Sequence, residues 1–251
     1  MIDIIIPMAG AGSRFADEGY KDPKPLIKVH GVPMIRLVIE NLRPSIEHRF
    51  IFICQREHVA RYDLAQKLKS WAPGAIVIEI DGLTEGAACT VLKARDHIDH
   101  DHPLMIANSD QYVDLSIDDY LETMEKGALD GLIMTMTADD PKWSFVGLTA
   151  DNLVERVVEK EVISDEATVG IYNFARGRDF IAAVDAMIEK DLRVNGEFYV
   201  APAYNEMIGN GGKIGIYNVG SDGKGMYGLG IPADLDAFLE NPVSRTATGR
   251  I

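Results

Sequence analysis

Near its start the sequence reads Asp3-Ile4-Ile5-Ile6-Pro7-Met8-Ala9-Gly10-Ala11-Gly12-Ser13-Arg14-Phe15, an apolar run that leads into a glycine-rich turn. A short apolar run without polar alternation is typical of a parallel strand that is covered on both faces. Glycines directly after the strand let the backbone approach a polyanion, and successive N–H groups form an anion-binding nest. The stretch therefore predicts a strand, an anion-binding turn and the start of a helix.

The same alternation of apolar runs and helix-period segments continues outward through the first half of the chain. The predicted strands are residues 50–54, 75–80 and 104–108, and the predicted helices are residues 34–42, 59–71 and 86–97. This rhythm predicts right-handed βαβ units and a doubly wound, largely parallel sheet. Ligands bind such a sheet at the carboxyl ends of its strands.

Shorter connections in the second half predict antiparallel pairing. The predicted strands are residues 131–136, 145–148, 153–159, 168–174 and 213–217, and the predicted helices are residues 180–190, 199–208 and 233–240. We expect residues 220–230 to form a glycine-rich loop and the polar tail from Asn241 to fray. The predicted fold is therefore α/β, with an inserted antiparallel portion, in a single domain over residues 1–251.

The composition excludes several classes of partner. The 251 residues carry 39 acidic and 25 basic side chains, a net charge of −14, which disfavours binding to nucleic acid and to anionic membranes. No apolar run approaches the roughly 20 residues that span a bilayer, and the start of the sequence has no positively charged leader segment. Cys54 and Cys89 lie in apolar segments, which predicts core packing rather than disulfides. We expect a soluble cytoplasmic protein.

The glycine-rich turn differs from two familiar phosphate-binding patterns. It lacks the third glycine of the dinucleotide fingerprint, and the second strand ends in Ile53-Cys54-Gln55 without an acidic residue. It also lacks the Gly-Lys-Ser/Thr of a Walker loop. Arg14 offers a guanidinium fork that can hold a phosphate through two bonds. Taken alone, the turn is better explained as a plain βα connection whose glycines permit tight packing.

The segment Lys21-Asp22-Pro23-Lys24-Pro25-Leu26 changes this balance. Prolines on both sides of Lys24 restrict the backbone and prevent an α-helix there. The alternative is a stiff surface loop with two solvated lysines. A lysine on rigid backbone near a phosphate nest nevertheless favours a phosphate-binding site over that alternative.

Further motifs follow in order along nearly the whole chain. They are Gly31-Val32-Pro33-Met34-Ile35, Asp81-Gly82-Leu83-Thr84-Glu85-Gly86-Ala87-Ala88, Asn108-Ser109-Asp110, Val158-Glu159-Lys160, Val169-Gly170-Ile171-Tyr172, Asn195-Gly196-Glu197-Phe198 and Gly230-Ile231-Pro232-Ala233-Asp234-Leu235. With this ordered set the chain resembles the sugar-phosphate nucleotidyltransferases, or nucleoside-diphosphate-sugar pyrophosphorylases. The resemblance implies a Rossmann-like fold with a nucleotide-binding half, residues 1–130, and an acceptor-binding half, residues 131–240.

The resemblance also implies the reaction and the role of each residue. An acceptor phosphate attacks the α-phosphorus of a nucleoside triphosphate and releases pyrophosphate; the acceptor is most simply a sugar 1-phosphate, and the products generally feed polysaccharide synthesis. The implied catalytic residues are Arg14, Lys24 and Asp110. The implied nucleotide-binding residues are Ala9, Gly10, Ala11, Gly12, Ser13, Thr84 and Gly86. The implied acceptor-binding residues are Glu159, Lys160, Gly170, Tyr172 and Glu197. Self-association is common in this family, and the oligomeric state stays open.

Asp110 is the expected ligand of Mg²⁺. It follows the fourth predicted strand, where ligands bind, and Mg²⁺ prefers hard oxygen donors that leave room for substrate phosphates. The alternative is a turn residue that bonds its own backbone. Many family members carry a second metal-binding aspartate two residues before the glycine at Gly230, but this chain has Gly228 there. Asp222, in the preceding glycine-rich segment, is a candidate substitute.

Three other functions stay open. A cytidylyltransferase acting on a non-sugar phosphate, such as phosphocholine or a phospho-amino acid, would share the triphosphate site. A glycosyltransferase usually has a paired-aspartate metal motif, which Asp110-Gln111-Tyr112 lacks. A nucleotide-binding regulator without catalysis is suggested by Gly228. The sequence leaves the nucleobase and the acceptor open.

Overall fold

The structure is a computed structural model that describes residues 1–10, 12–98 and 100–251. Its strands are β1 Ile2–Pro7, β2 Lys28–Val29, β3 Val32–Pro33, β4 His48–Gln55, β5 Ile76–Ile80, β6 Leu104–Ala107, β7 Gln111–Val113, β8 Gly131–Thr137, β9 Ser144–Leu148, β10 Val154–Glu159, β11 Glu166–Phe174, β12 Ile214–Asp222 and β13 Gly225–Gly228. Its α-helices are α1 Ser13–Asp17, α2 Met34–Leu42, α3 Arg56–Tyr62, α4 Leu64–Trp71, α5 Ala87–Val91, α6 Ile117–Lys126, α7 Gly177–Glu189, α8 Ala203–Gly209, α9 Pro232–Glu240 and α10 Pro242–Thr248. Two 3-10 helices cover Lys24–Leu26 and Leu92–His97.

The central sheet is mostly parallel. Its strands follow the order β5-β4-β1-β6-β11-β8-β12-β13-β7. The first four are parallel to one another, and β8, β12 and β13 run in the same direction because β11 is antiparallel to both of its neighbours. The β9–β10 hairpin is antiparallel and joins the sheet through β11. The predicted α/β fold with its largely parallel sheet is confirmed.

Helices cover both faces of the sheet. Alternate residues of β1 point to opposite layers, since Ile4 packs in the cluster that includes α2, α4 and α6, whereas Ile5 packs in the cluster that includes α5, α7 and α8. A third cluster places Phe15 and Tyr112 against α9 and α10. The parallel strands β1, β4, β5 and β6 therefore present their carboxyl ends along one uncovered edge.

Several predicted boundaries are wrong. The helix predicted at 59–71 is two helices, because Asp63 has a φ of 52° and breaks the hydrogen-bond ladder. The helix predicted at 86–97 is a short α-helix followed by a 3-10 helix, and the helix predicted at 199–208 begins only after Pro202.

The C-terminal predictions also need correction. The loop predicted at 220–230 contains the end of β12 and all of β13, which pairs with β7. The tail expected to fray forms α10, because Asn241 accepts a hydrogen bond from the Val243 N–H and Ser244 and Ala247 are buried. Among the described residues, no helix combines the length and the apolar character needed to cross a bilayer.

Candidate active site

A cleft of about 350 Å³ opens at the carboxyl ends of β1 and β6. The turn after β1, the segment around Lys24, helix α3 and residues 108–110 surround it. The lining residues are Pro7, Met8, Gly10, Gly12, Ala16, Tyr20, Lys21, Asp22, Pro23, Lys24, Pro25, His58, Tyr62, Asn108, Ser109 and Asp110. The cleft lies where ligands bind a doubly wound sheet.

The two described glycines of the turn have different environments. Gly12 has a φ of 61°, and a Cβ at this position would lie 3.6 Å from the Cβ of Lys24. A Cβ on Gly10 would meet no atom within 4 Å, so the missing side chain keeps open space in the cleft. Ala11, predicted to bind nucleotide, lies outside the described residues. Ser13 and Arg14 are exposed in the first turn of α1.

Lys24 and Asp110 form an ion pair at the floor of this cleft. The Lys24 Nζ donates to the Asp110 Oδ2 over 2.7 Å, and the two side chains are 24% and 23% exposed. The 3-10 helix fixes the backbone of Lys24, while the Asp110 carbonyl accepts a hydrogen bond from the Leu229 N–H at 2.8 Å. The fold thus joins two predicted catalytic residues that are 86 residues apart.

The loop after β5 is tied to the turn after β1 by a single side chain. The Gln55 Nε2 donates to the Ala9 carbonyl at 2.6 Å and to the Gly82 carbonyl at 2.9 Å. Within the loop, the Thr84 hydroxyl donates to the Gly86 carbonyl at 2.9 Å. Gln55 therefore fixes the spacing between two segments that are both predicted to bind nucleotide.

Gly86 starts helix α5 with a φ of 121°, and a side chain there would clash with the backbone of Phe198. The Phe198 N–H donates to the Glu85 carbonyl at 2.8 Å, and the Ala88 N–H donates to the Phe198 carbonyl at 3.0 Å. The need for glycine is thus explained by this close packing. The expected contact of Gly86 with a nucleobase stays a prediction.

A second cleft, of about 280 Å³, adjoins the first. Its lining residues are Ala87, Asn108, Lys142, Trp143, Ser144, Glu159, Thr168, Val169, Gly170, Tyr172, Tyr199, Val200 and Ala201. Three of the predicted acceptor residues are in this set: Glu159, Gly170 and Tyr172. Asn108 lines both clefts, so the two cavities are neighbours on either side of this residue.

Burial controls the ionisable groups of the second cleft. It raises the pKa of Glu159 above the ordinary value of 4.5, partly offset by the Ser144 hydroxyl, which bonds to the carboxylate, and by the charge of Lys160. Burial also raises the pKa of Tyr172, whose hydroxyl lies 3.0 Å from the Thr168 hydroxyl. The second cleft therefore combines a buried carboxyl group of raised pKa with hydroxyl groups.

Gly170 has a structural reason to be glycine. Its φ is 81°, and a side chain would clash with the Asn108 amide and lie 2.9 Å from the Gln111 Oε1. The Asn108 N–H donates to the Gly170 carbonyl at 2.9 Å. Gly170 thus lets strand β11 approach residues 108–111 at the junction of the two clefts.

Lys160 and Glu197 lie outside the lining of both clefts. Lys160 is exposed, and its Nζ donates to the Tyr199 hydroxyl at 2.6 Å, a bond that raises the pKa of the ammonium. Glu197 is exposed after the turn at Asn195 and Gly196, and its charge raises the pKa of Glu159. Both residues therefore lie near the second cleft, at its rim.

Several lining residues were not among the predicted site residues, including Asn108, Lys142 and Trp143. Asn108 was part of a recognised motif, but its place between two cavities depends on strand pairing. Lys142 is exposed, and its Nζ lies 4.9 Å from the centroid of the Trp143 ring. A tryptophan in a short connection between two predicted strands was the available signal.

The Asp110 carboxylate is an oxygen donor of the kind that Mg²⁺ prefers. Among the described residues no three His, Cys, Asp or Glu side chains surround one point. Mg²⁺ is commonly held by one or two carboxylates with substrate phosphates and water. A Cβ on Gly230 would lie 2.8 Å from the Asp110 Oδ2, so glycine keeps the space beside this carboxylate free.

Comparisons with known proteins agree with this fold. The sequence pattern of the family described as nucleotidyl transferase matches residues 4–195. The bifunctional protein GlmU of Methanococcus maripaludis is 26% identical over 221 residues, which cover 86% of this chain and 49% of that protein. The chain therefore spans about half the length of this curated relative.

Solved structures share the fold. The nucleoside-diphosphate-sugar pyrophosphorylase of Vibrio cholerae RC9 has a TM-score of 0.81 at 25% identity, covering 95% of this chain and 100% of that chain. The inositol-1-phosphate CTP transferase of T. maritima has a TM-score of 0.71 at 14% identity, covering 98% and 94%, and shows the fold alone. The resemblance indicated by the sequence motifs is confirmed. Because the family pattern matches most of this chain, the chain belongs to the nucleotidyl transferase family.

Proposed function

We propose that this protein transfers a nucleotidyl group from a nucleoside triphosphate to a phosphorylated small molecule, most simply a sugar 1-phosphate. The proposal rests on one observation: two neighbouring clefts share Asn108 as a lining residue, and the first of them contains the Lys24–Asp110 ion pair. The glycine-lined cleft suits a triphosphate. The cleft with Glu159 and its hydroxyl groups suits the hydroxylated body of the acceptor.

The proposed step needs alignment rather than acid–base chemistry. An oxygen of the acceptor phosphate, already an anion, forms a bond to the α-phosphorus. The bond from the α-phosphorus to the oxygen that bridges it to the β-phosphorus breaks, and pyrophosphate leaves with that electron pair. No proton has to move, so the protein contributes by positioning two polyanions and neutralising their charge.

The cations at the first cleft supply that neutralisation. Lys24 is anchored by Asp110 and by proline-restricted backbone, so its ammonium is already ordered before the triphosphate binds. Arg14 is exposed in the first turn of α1 and can fold onto the phosphates. Mg²⁺, which we propose is held in part by Asp110, supplies charge neutralisation of the triphosphate oxygens.

The second cleft leaves two acceptor classes in the proposal. Glu159 and the buried hydroxyls of Ser144 and Tyr172 can bond to sugar hydroxyl groups, which favours a sugar phosphate. Trp143, with Lys142 beside it, offers an aromatic wall that would also suit a non-sugar phosphate. The reaction would draw on cytoplasmic nucleoside triphosphate and yield an activated donor, which the family resemblance connects with polysaccharide synthesis.

The test is pyrophosphate release with Mg²⁺, crossing the common ribonucleoside and deoxythymidine triphosphates with sugar 1-phosphates, phosphocholine and phospho-amino acids. We expect turnover for one base and one acceptor class. Lys24→Ala should lower kcat at least about 100-fold, because it removes a cation aimed at the reacting phosphates. It should leave the unfolding temperature almost unchanged, since Lys24 is partly exposed and only one ion pair is lost.

The outcomes separate the candidate functions. A nucleoside-diphosphate sugar as product supports the proposal, and a product formed only from a non-sugar phosphate assigns the second acceptor class. Triphosphate binding without pyrophosphate release across the panel would contradict catalysis and support the regulator. Full activity of Lys24→Ala would remove Lys24 from the proposed machinery.

A further inference from the structure

The segment Gly228–Gly230 lies between two carboxylates. A Cβ on Gly228 would lie 3.1 Å from the Asp234 Oδ2 and 3.5 Å from its Cγ. A Cβ on Gly230 would lie 2.8 Å from the Asp110 Oδ2. The carboxylates of Asp110 and Asp234 therefore approach the same three-residue segment, each from a different element of the fold.

We infer that Asp234 supplies the second metal-binding carboxylate of this site, in the space that a side chain at position 228 would otherwise occupy. The inference rests on the proposed function, because it concerns the metal of that same reaction. It assigns a carboxylate that reaches the site from helix α9 rather than from strand β13. The sequence had suggested Asp222 for this part on proximity alone.

Helix α9 holds Asp234 in place. The helix begins with Pro232, and Asp234 lies in its first turn, where the helix dipole stabilises a negative charge. Leu235 and Phe238 are buried in the cluster that also contains Leu229. Because Leu229 donates its N–H to the Asp110 carbonyl, the same packing ties α9 to the loop that carries Asp110.

The Asp234 carboxylate is available to a cation. It is half-buried, and no donor among the described residues gives it a hydrogen bond. The Asp110 carboxylate approaches the same segment at Gly230, and a bound divalent cation would relieve the repulsion between these two negative charges.

The test measures the binding of Mn²⁺ alone to the full chain. Binding is monitored by the loss of the electron paramagnetic resonance signal of free Mn²⁺. Asp234→Asn and Asp110→Asn should each weaken binding at least about 10-fold. Asp236→Asn, on the same helix and exposed, is the matched control and should change nothing. Thermal unfolding of every variant verifies that the fold is intact.

A relocation experiment makes the test specific. In Asp234→Ala the carboxylate is gone, and a new Cβ at 228 would lie 3.6 Å from the remaining Cβ of Ala, an ordinary contact. Gly228→Asp combined with Asp234→Ala should therefore recover most of the Mn²⁺ affinity that Asp234→Ala loses. A merely structural role of Asp234 would not be rescued by a carboxylate on another element.

The results separate this inference from the proposed function. If Asp110→Asn weakens Mn²⁺ binding and Asp234→Asn does not, the inference is overturned while the metal site at Asp110 stands. A loss in Asp222→Asn but not in Asp234→Asn would assign the second carboxylate to Asp222 instead. If neither Asp110→Asn nor Asp234→Asn changes binding, both the inference and the proposed metal site are overturned.

Discussion

Gly10 and Gly12 stand two residues apart in the turn after β1, yet only Gly12 has a backbone that demands glycine. Its φ of 61° lies in the left-handed region and it packs against Lys24. Gly10 has neither a positive φ nor a neighbour within 4 Å of its side-chain position. We propose that the open space at Gly10 admits the triphosphate.

Gly10→Ala should separate binding from folding. The free energy of unfolding should change by less than about 0.5 kcal/mol, because the new methyl group meets no protein atom. The Kd for the triphosphate should rise about 10-fold, because the same methyl group obstructs close backbone approach to a phosphate. Isothermal titration and denaturant unfolding measure the two quantities. Gly209→Ala, at another uncrowded glycine, is the control; equal triphosphate affinity in both variants would contradict the assignment.

The pKa of Glu159 gives the acceptor cleft a pH dependence. Burial raises this pKa, so the carboxylate takes up a proton at a higher pH than an ordinary glutamate. As the pH falls through the raised pKa, Glu159 loses its negative charge and holds acceptor hydroxyl groups less tightly. The KM for the acceptor should therefore rise, with a midpoint above 4.5.

Kinetics of the wild type and Glu159→Gln over this pH range check the expectation. The acceptor phosphate titrates in both proteins, so the difference between the two profiles isolates Glu159. The KM for the triphosphate should show the same pH dependence in both proteins. If Glu159→Gln retains the full pH dependence of the acceptor KM, Glu159 does not contact the acceptor.

At the scale of elements, Gln55 at the end of strand β4 connects the turn after β1 with the loop after β5, the two segments that we propose bind the nucleotide. Gln55 bonds the carbonyls of Ala9 and Gly82, and neither bond can be replaced by a shorter side chain. Gln55→Ala should raise the KM for the triphosphate about 10-fold, because the distance between the two segments is then no longer fixed. The acceptor KM should hardly change, because Gln55 lies outside the second cleft. Glu57→Gln, two residues on and exposed, is the control, and an unchanged triphosphate KM in Gln55→Ala would refute this role.

Helix α10 depends on its first residues. The Asn241 side chain accepts a hydrogen bond from the Val243 N–H at 3.0 Å, and Pro242 starts the helix. Asn241→Ala should lower the free energy of unfolding by about 1 kcal/mol, whereas Asn241→Asp keeps the capping oxygen and most of the stability. Urea unfolding of both variants measures this. Equal stability of Asn241→Ala and the wild type would mean that the cap contributes nothing.

The apolar strands of the first half were predictable from their pattern, whereas elements defined by long-range contacts were not. Helix α6 was also missed, although its buried residues Ile117, Tyr120 and Met124 recur at helical spacing. The apolar strands of the first half and helix α2 lie within a few residues of their predicted bounds. Strand β7 has three residues and was missed, since it exists through its pairing with β13. The break at Asp63 was also missed, because aspartate adopts the left-handed conformation without a glycine to signal it.

At the scale of the whole molecule, local motifs predicted which residues would carry chemistry, but not all of their partners. Lys24 and Asp110 were both predicted, and the fold pairs them. The proximity of Asp234 to Gly228 follows from how α9 packs against β13, which no spacing in the sequence reveals. Lys142 reaches the second cleft only because the β9–β10 hairpin folds onto β11.

The negative net charge of the molecule requires a local concentration of cations at the proposed active site. A chain with net charge −14 repels two polyanionic substrates, so cations must be concentrated where the substrates meet. Lys21 and Lys24 line the first cleft and Lys142 lines the second. Lysines thus line both of the neighbouring clefts, which is the distribution that the proposed transfer between two bound phosphates requires.

The central claim is that the α-phosphoryl group passes between the two clefts. The direct measurement uses nucleoside triphosphates labelled with ³²P at the α or the γ position, incubated with the full chain, Mg²⁺ and the acceptor panel. We predict that the α label appears in the product that joins the nucleotide to the acceptor phosphate, and that the γ label appears in pyrophosphate. The γ label in the phosphorylated acceptor, or the release of orthophosphate in place of pyrophosphate, would contradict nucleotidyl transfer and with it this account of the site.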